Sequence, residues 1–276
     1  DAHGQELMNR PLPPEKLAQA RRLADLNQPE SAARWLPTRD GGRTASGRLI
    51  RSDNLQDLTD ADVTHLVHAV GVSDIIDLRT EVEVHLEGPG PLRRVESLTH
   101  HHHSLIAARG EEDLDALAAK ALAVPWSPDG TRRDASFWAE HYLGYLAGRP
   151  DSVAAALRVI ADAPGAAVVH CAAGKDRTGT VVAMALDVAG VPHEEIVADY
   201  VLTAERIEAI IGRLMSRPAY GHALSQQSID EQSPKPESIE AILRAVDAGW
   251  GGAAGWLRDH GWTASDVEGL RHHLTR

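Results

Sequence analysis

The chain is poor in sulfur, in aromatic residues and in lysine. Of 276 residues, one is a cysteine (Cys171), one is a phenylalanine, and aromatic side chains make up 4%. A single cysteine excludes an intramolecular disulfide, so oxidative stapling does not hold this fold, and a reducing, cytoplasmic setting is expected. No apolar run approaches the roughly 20 residues that cross a bilayer. Residues 1–10 are polar and read as lacking a signal peptide. Positive charge is also short. The formal net charge is −12, which argues against the basic face of a nucleic-acid binder and against strong adsorption to anionic lipid. What remains is an ordinary soluble composition, 43% hydrophobic, in a chain long enough for one large α/β domain.

Apolar segments alternate between strand and helix character. Residues 48–51 and 73–78 read as strands, the second short and apolar enough to be central. Residues 94–102 read as a further strand, and Ala166-Ala167-Val168-Val169-His170 as a compact buried one. Helical stretches cover residues 60–69 behind a Thr59 cap, 81–87, 136–147, 152–163, 177–189, 192–202, 203–216, 236–248, 256–260 and 264–273. Residues 1–30 read as a polar arm with a short helix, residues 31–276 as a single domain, and residues 203–248 as a helical extension. Residues 107–135, acidic and then rich in Pro and Gly, read as a lid insertion. The expected fold is α/β, with a central, mostly parallel sheet flanked by helices.

The chemistry concentrates in His170-Cys171-Ala172-Ala173-Gly174-Lys175-Asp176-Arg177-Thr178-Gly179, which joins an apolar strand to an apolar helix. A tight loop ending at a helix N-terminus gathers backbone N–H groups and partial positive charge into one concavity, the setting for a phosphate dianion. Gly174 and Gly179 allow close backbone approach. Arg177, returning across the loop, offers a planar fork for phosphate oxygens. The same field favours thiolate: such surroundings lower a thiol from about 8.5 to roughly 3.5–7.5. A Cys171 thiolate would attack phosphorus and form a phosphocysteine. Asp176 is the first choice to protonate the leaving oxygen and then to activate water. Thr178 is placed to hydrogen-bond the sulfur, and Lys175, a scarce residue here, to contact phosphate beside Ala172, Ala173 and the glycines. His170 is expected to orient the loop, with Asp77 and Arg79 as buttresses.

This segment resembles the His-Cys-x-x-Gly-x-x-Arg-Ser/Thr-Gly signature of cysteine-based protein tyrosine phosphatases. Its Gly-Lys-Asp-Arg-Thr-Gly form resembles that of the bacterial atypical tyrosine/dual-specificity group. The resemblance implies a tyrosine-phosphatase-like fold, the loop aspartate as general acid, and members that also accept phosphoinositides. It extends to Arg39-Asp40-Gly41-Gly42, to Gly47-Arg48-Leu49-Ile50-Arg51-Ser52, to Asp77-Leu78-Arg79 with Glu81 as an Asp-Leu-Arg-x-x-x-Glu element, to Ile196-Val197-Ala198-Asp199-Tyr200, and to Trp256-Leu257-Arg258, roughly residues 34–275. Two departures bear on substrate. Ala172 stands where the group can carry Phe, and Trp35-Leu36-Pro37-Thr38-Arg39 replaces an Asn-Phe-Arg block.

Rival signals are weaker. Trp126-Ser127-Pro128-Asp129 resembles the Trp-Pro-Asp acid loop of larger tyrosine phosphatases with one residue inserted, which makes Asp129 a rival acid; a Pro-Asp-Gly turn explains it more simply. His100 to His103 cannot converge on one metal from a strand, because alternate side chains face opposite ways. His193-Glu194-Glu195 lacks the second histidine of a zinc-protease helix, and Gly249-Trp250-Gly251-Gly252 follows a helix rather than a dinucleotide-binding strand. Three functions compete: a phosphatase for phosphoproteins, above all phosphotyrosine; a metabolic phosphatase for a nucleotide, sugar or inositol phosphate; and a non-catalytic phosphate-binding module. No cofactor or metal is called for. EDTA is expected to leave phosphatase turnover unchanged, and strong inhibition reversed by zinc would contradict a cysteine mechanism.

Overall fold

The structure is a computed structural model that describes residues 35–107, 134–225 and 227–276. The expected N-terminal arm, most of the expected lid, and Asp129 with Trp126 lie outside those residues.

Four strands form one sheet in the order β1-β4-β2-β3, and every pairing in it is parallel. They are β1 (Leu49–Ser52), β2 (Val72–Asp77), β3 (Thr99–His102) and β4 (Ala166–His170). β4 lies between β1 and β2, and all five of its residues are buried, which is why its sequence is continuously apolar. Its side chains alternate between two cores: Ala167 and Val169 face one, Ala166 and Val168 the other, and Ile76 and Ile75 of β2 do likewise. The first core is larger. It is built with α3 (Ala135–Gly148), α4 (Pro150–Asp162), α5 (Asp176–Val188), α6 (His193–Val201) and the C-terminal helices α10 (Pro236–Trp250), α11 (Ala253–Asp259) and α12 (Ala264–Thr275). The second is closed by α1 (Asp60–Thr64), the π-helical turn His65–Val70 that continues it, and the 3-10 turn Pro91–Arg94. The remaining helices are α2 (Glu81–Glu87), α7 (Ile207–Met215), α8 (Gly221–Leu224) and α9 (Ile229–Gln232), and Ile210 and Leu214 of α7 form a small third cluster with Ala172.

Two expectations are corrected. The strand read over residues 94–102 is confined to Thr99–His102: Arg94 ends a 3-10 helix, and residues 95–98 form a turn in which the Leu98 N–H donates to Val95 O (3.2 Å). The helix read over residues 60–69 is α-helical for one turn and then widens into a π-turn, ended by Gly71 at φ +74°.

Because the sheet is parallel, the ends of β1, β2 and β4 open on one edge, where α/β proteins place their sites. The segment after α6 is tied to that edge by buried charge. Arg213 of α7 pairs with Asp53, just beyond β1, their side chains 4% and 2% exposed. Arg217 bridges Asp57 and Glu87. Breaking a buried pair on one side strands the other charge, at a cost of roughly 3–5 kcal/mol. Arg213→Met is therefore expected to lower the thermal midpoint markedly, and Asp53→Asn in the same chain to restore part of the loss. Equal midpoints for Arg213→Met and wild type in a calorimetric scan would contradict this.

Candidate active site

β4 delivers Cys171, 1% exposed, to the C-terminal edge of the sheet. The loop that follows is held from outside by its carbonyls. The Leu78 N–H donates to His170 O (3.0 Å) and the Asn54 N–H to Ala172 O (2.9 Å). Arg51 Nη2 donates to Gly174 O (3.0 Å) and to Thr203 Oγ1 (2.9 Å), while its Nη1 pairs with Asp199 (3.0 Å). Gly174 adopts φ +65°, and a Cβ there would lie 2.6 Å from Ser52 O, so glycine is required twice over. With the carbonyls so engaged, the amides of Ala172, Ala173 and Gly174 donate to nothing among the described residues. α5 begins at Asp176 and adds its positive end to the same concavity. Gly179, inside α5, admits the ring of Tyr200, which approaches to 3.0 Å of where a Cβ would be.

Arg177 lies in the first turn of α5, 9% exposed. Its Nη1 and Nη2 donate to the two oxygens of Glu83 at 2.5 and 2.8 Å. Glu83 is positioned by a capping box: its Oε2 accepts from Thr80 N (2.8 Å) and Thr80 Oγ1 (2.9 Å) at the start of α2. Burial opposes the Glu83 charge, yet the Arg177 cation and its hydrogen bonds hold the carboxyl below its ordinary value. Burial opposes the Arg177 charge too, and Glu83 and Cys171 outweigh it, so the guanidinium stays protonated. Glu83 takes one edge of the fork. The Nε–Nη2 edge keeps donors for a second bidentate partner such as phosphate.

Asp176 Oδ1 accepts a short hydrogen bond from Tyr142 Oη and lies 3.4 Å from Lys175 Nζ. A thiol, an anion-binding loop, a guanidinium held in register and a carboxyl can together displace an alcohol or phenol from phosphorus.

A sequence model described as "Tyrosine phosphatase family" matches residues 25–276. The chain belongs to the tyrosine phosphatase family. It is 31% identical to a tyrosine-protein phosphatase of Nostoc commune over 232 residues, covering 82% of this chain and 74% of that one. It is 28% identical to the triple specificity protein phosphatase PtpB of Mycobacterium tuberculosis over 251 residues, 82% of this chain and 90% of that one. The protein is thus a cysteine-dependent phosphatase whose substrates are phosphate esters, with the phosphocysteine mechanism typical of the family.

In this phosphatase Asp77 and Arg79 form a pair behind the loop. Arg79 Nη2 donates to Asp77 Oδ2 at 2.6 Å, and Arg79 is 0% exposed. His170 Nε2 lies 3.7 Å from Asp77 Oδ2. Burial opposes the Asp77 charge, and His170 and Arg79 overcome it, holding the carboxyl far below its usual range. Burial in turn holds His170 below its ordinary value, with Asp77 opposing. His170 is therefore neutral near pH 7, and Arg79 is the cation that sustains Asp77 there.

Several sequence expectations change on contact with the phosphatase structure. The glutamate of the Asp-Leu-Arg-x-x-x-Glu element that meets the site is Glu83, not Glu81: Glu83 both completes the capping box and holds Arg177, and the T-x-x-E spacing from Thr80 was the signal for it. Lys175 is 1% exposed and runs away from solvent. Its Nζ donates to Gln232 O (2.7 Å) and sits 4.0 Å from the Trp138 ring. Thr178 Oγ1 is buried with no hydrogen-bond partner among the described residues, Cys171 included, so the bond to sulfur is not made in this structure. Ala172 is covered by Ile210 and Leu214, with Ala173, Tyr220 and Leu224 packed beside them. His100, His101 and His102 each take a separate partner, Leu92 O, Asp74 and Arg79 O. Asp187, His193 and Asp247 approach one another in a separate cleft, where Arg39 (3.0 Å) and the Ala253 N–H (2.8 Å) already occupy Asp187.

The two depressed groups set an acid limit. The unfolded chain takes up the His170 proton below its ordinary value of 6.5 while the folded one resists, so stability falls as pH drops through that range. The Asp77 contribution is present above its ordinary value of 3.8 and is lost below it. The urea midpoint is expected to fall between about pH 7 and about pH 5, and less steeply in His170→Asn. Some fall persists in that variant, because burial also holds His100, His103 and His273 low. An identical fall in both proteins would contradict the assignment.

Proposed function

We propose that Cys171 is the nucleophile, Arg177 the phosphate clamp and Asp176 the acid and base of this phosphatase, acting on protein phosphotyrosine. What carries the reading is that one loop places a buried thiol, and amides that donate to nothing among the described residues, beside a guanidinium whose orientation Glu83 imposes. The thiolate attacks phosphorus opposite the leaving oxygen. As the S–P bond forms and the P–O bond breaks, Asp176 gives its proton to the departing phenol. Asp176 then takes a proton from water as that oxygen attacks phosphorus, the S–P bond breaks, and thiolate and inorganic phosphate are released. The loop amides of Ala172, Ala173 and Gly174, with those of Lys175 and the first turn of α5 beside them, surround the equatorial oxygens, while the Gly179 N–H stays within the helix on Lys175 O. Arg177 meets the charge that develops there. His170, Asp77 and Arg79 keep the loop in place.

The protein-phosphotyrosine assignment is supported by the similarity to a tyrosine-protein phosphatase and to a triple specificity protein phosphatase. A reducing, cytoplasmic compartment would keep the lone thiol active. No helix among the described residues is long and apolar enough to cross a membrane. We treat residues 31–276 as one catalytic unit that needs neither nucleic acid nor membrane.

Steady-state turnover should separate the readings. Phosphotyrosine peptides are expected to exceed phosphoserine peptides and nucleotide, sugar and inositol phosphates in kcat/KM, and Cys171→Ser to abolish all of them. Arg177→Lys should cost about two to three orders of magnitude. A metabolite turned over faster than every peptide would overturn the substrate assignment while leaving the mechanism. Cys171→Ser turnover at the wild-type rate would overturn the mechanism.

A further inference from the structure

The polar atoms around Asp176 are distributed unevenly. Oδ1 faces Tyr142 Oη and Lys175 Nζ; Oδ2 accepts no hydrogen bond from the described residues. Tyr142 comes from the middle of α3 and is 0% exposed. Its Oη lies 2.8 Å from Tyr200 Oη of α6. The two rings meet edge to face at 6.3 Å, and Tyr145 stacks on the other side of Tyr142 at 6.1 Å. A buried phenol needs a partner for its proton, and this one has a single proton to give. Tyr200 can donate to Tyr142 and Tyr142 to Oδ1. Burial first, and then the Asp176 charge, push the Tyr142 phenol well above its ordinary value, so it stays protonated and acts as a donor. Lys175 Nζ adds a cation on the same oxygen, held there by Gln232 O and the Trp138 face.

We propose that Tyr142, backed by Tyr200, is the positioning residue that pins Asp176 Oδ1 and leaves Oδ2 as the one oxygen that exchanges protons with the leaving group and with water. The inference rests on the reading of Asp176 as acid and base. In the first step the proton on Oδ2 passes to the ester oxygen as the P–O bond breaks. In the second, Oδ2 recovers a proton from the attacking water. Oδ1 exchanges none, and its donors fix the direction in which Oδ2 is presented.

A purely structural role for Tyr142 would lower turnover of all substrates alike. A positioning role ties the loss to how much acid help the leaving group needs. The test is kcat/KM for aryl phosphates of graded phenol acidity in wild type, Tyr142→Phe, Tyr200→Phe, Asp176→Asn and the Tyr142→Phe/Asp176→Asn double variant. Tyr142→Phe is expected to lose roughly tenfold or more on phenyl phosphate, the loss shrinking as the phenol becomes more acidic. Tyr200→Phe should show a smaller loss with the same dependence on the phenol, and the double variant no further loss beyond Asp176→Asn. If Asp176→Asn is sensitive to the leaving group while Tyr142→Phe and Tyr200→Phe lose activity uniformly across the phenols, the positioning role is overturned. If Asp176→Asn itself shows no such sensitivity, the acid assignment has failed, and the role of Tyr142 with it.

Discussion

A loop can keep its amides for an anion only if its carbonyls are satisfied elsewhere. Here that constraint governs much of the architecture. The carbonyls of His170, Ala172 and Gly174 are taken by Leu78 beyond β2, Asn54 beyond β1 and the Arg51 side chain of β1. Both donor strands flank β4 in a parallel sheet, so all three reach the same edge together. Arg51 extends the tie to Asp199 and Thr203, so α6 and the turn after it are anchored to the loop as well. Removing the side chain at position 174 completes the arrangement, since any Cβ there would strike the β1 backbone.

Charge is handled in the same way. The chain is strongly acidic overall, yet the cations at the site are engaged by specific carboxylates: Arg177 by Glu83, Arg79 by Asp77, Arg213 by Asp53, Arg51 by Asp199. Each pair restricts where a guanidinium can point, and the Arg177 pair leaves one edge of its fork for substrate. Buried charges arranged this way cost little reorganisation when a dianion arrives, which is the basis of electrostatic preorganisation.

Much of this was legible from residue order alone. An apolar five-residue strand running into Cys171, with Arg177 in the next helical turn, is local information; strand, loop and helix stand where it puts them. The Asp-Leu-Arg-Thr-Glu-Val-Glu stretch pointed to the right element, but Glu81 was named with it although the three intervening residues after Arg79 put the pattern's glutamate at Glu83, which is also the one the capping box turns toward the loop. The Lys175 side chain was read toward phosphate, whereas its aliphatic stem and ammonium are drawn into the Trp138–Gln232 contact, supplied by helices far along the chain. Tyr142 carried no sequence signal, and Tyr200 stood only at the end of the Ile196-Val197-Ala198-Asp199-Tyr200 resemblance with no role attached; only the packing of α3 and α6 on α5 brings their hydroxyls together. Arg51 read as part of a strand, and its clamp on Gly174 follows from the parallel register of β1 with β4.

The claim beneath all of this is that phosphorus passes through sulfur at Cys171. Rapid acid quench during turnover of a phosphoryl-labelled substrate tests it directly. Label should appear on the protein within the first turnover, map to the peptide containing Cys171, and be absent in Cys171→Ser. Turnover with no labelled protein at any time point, or label mapped to another residue, would contradict it.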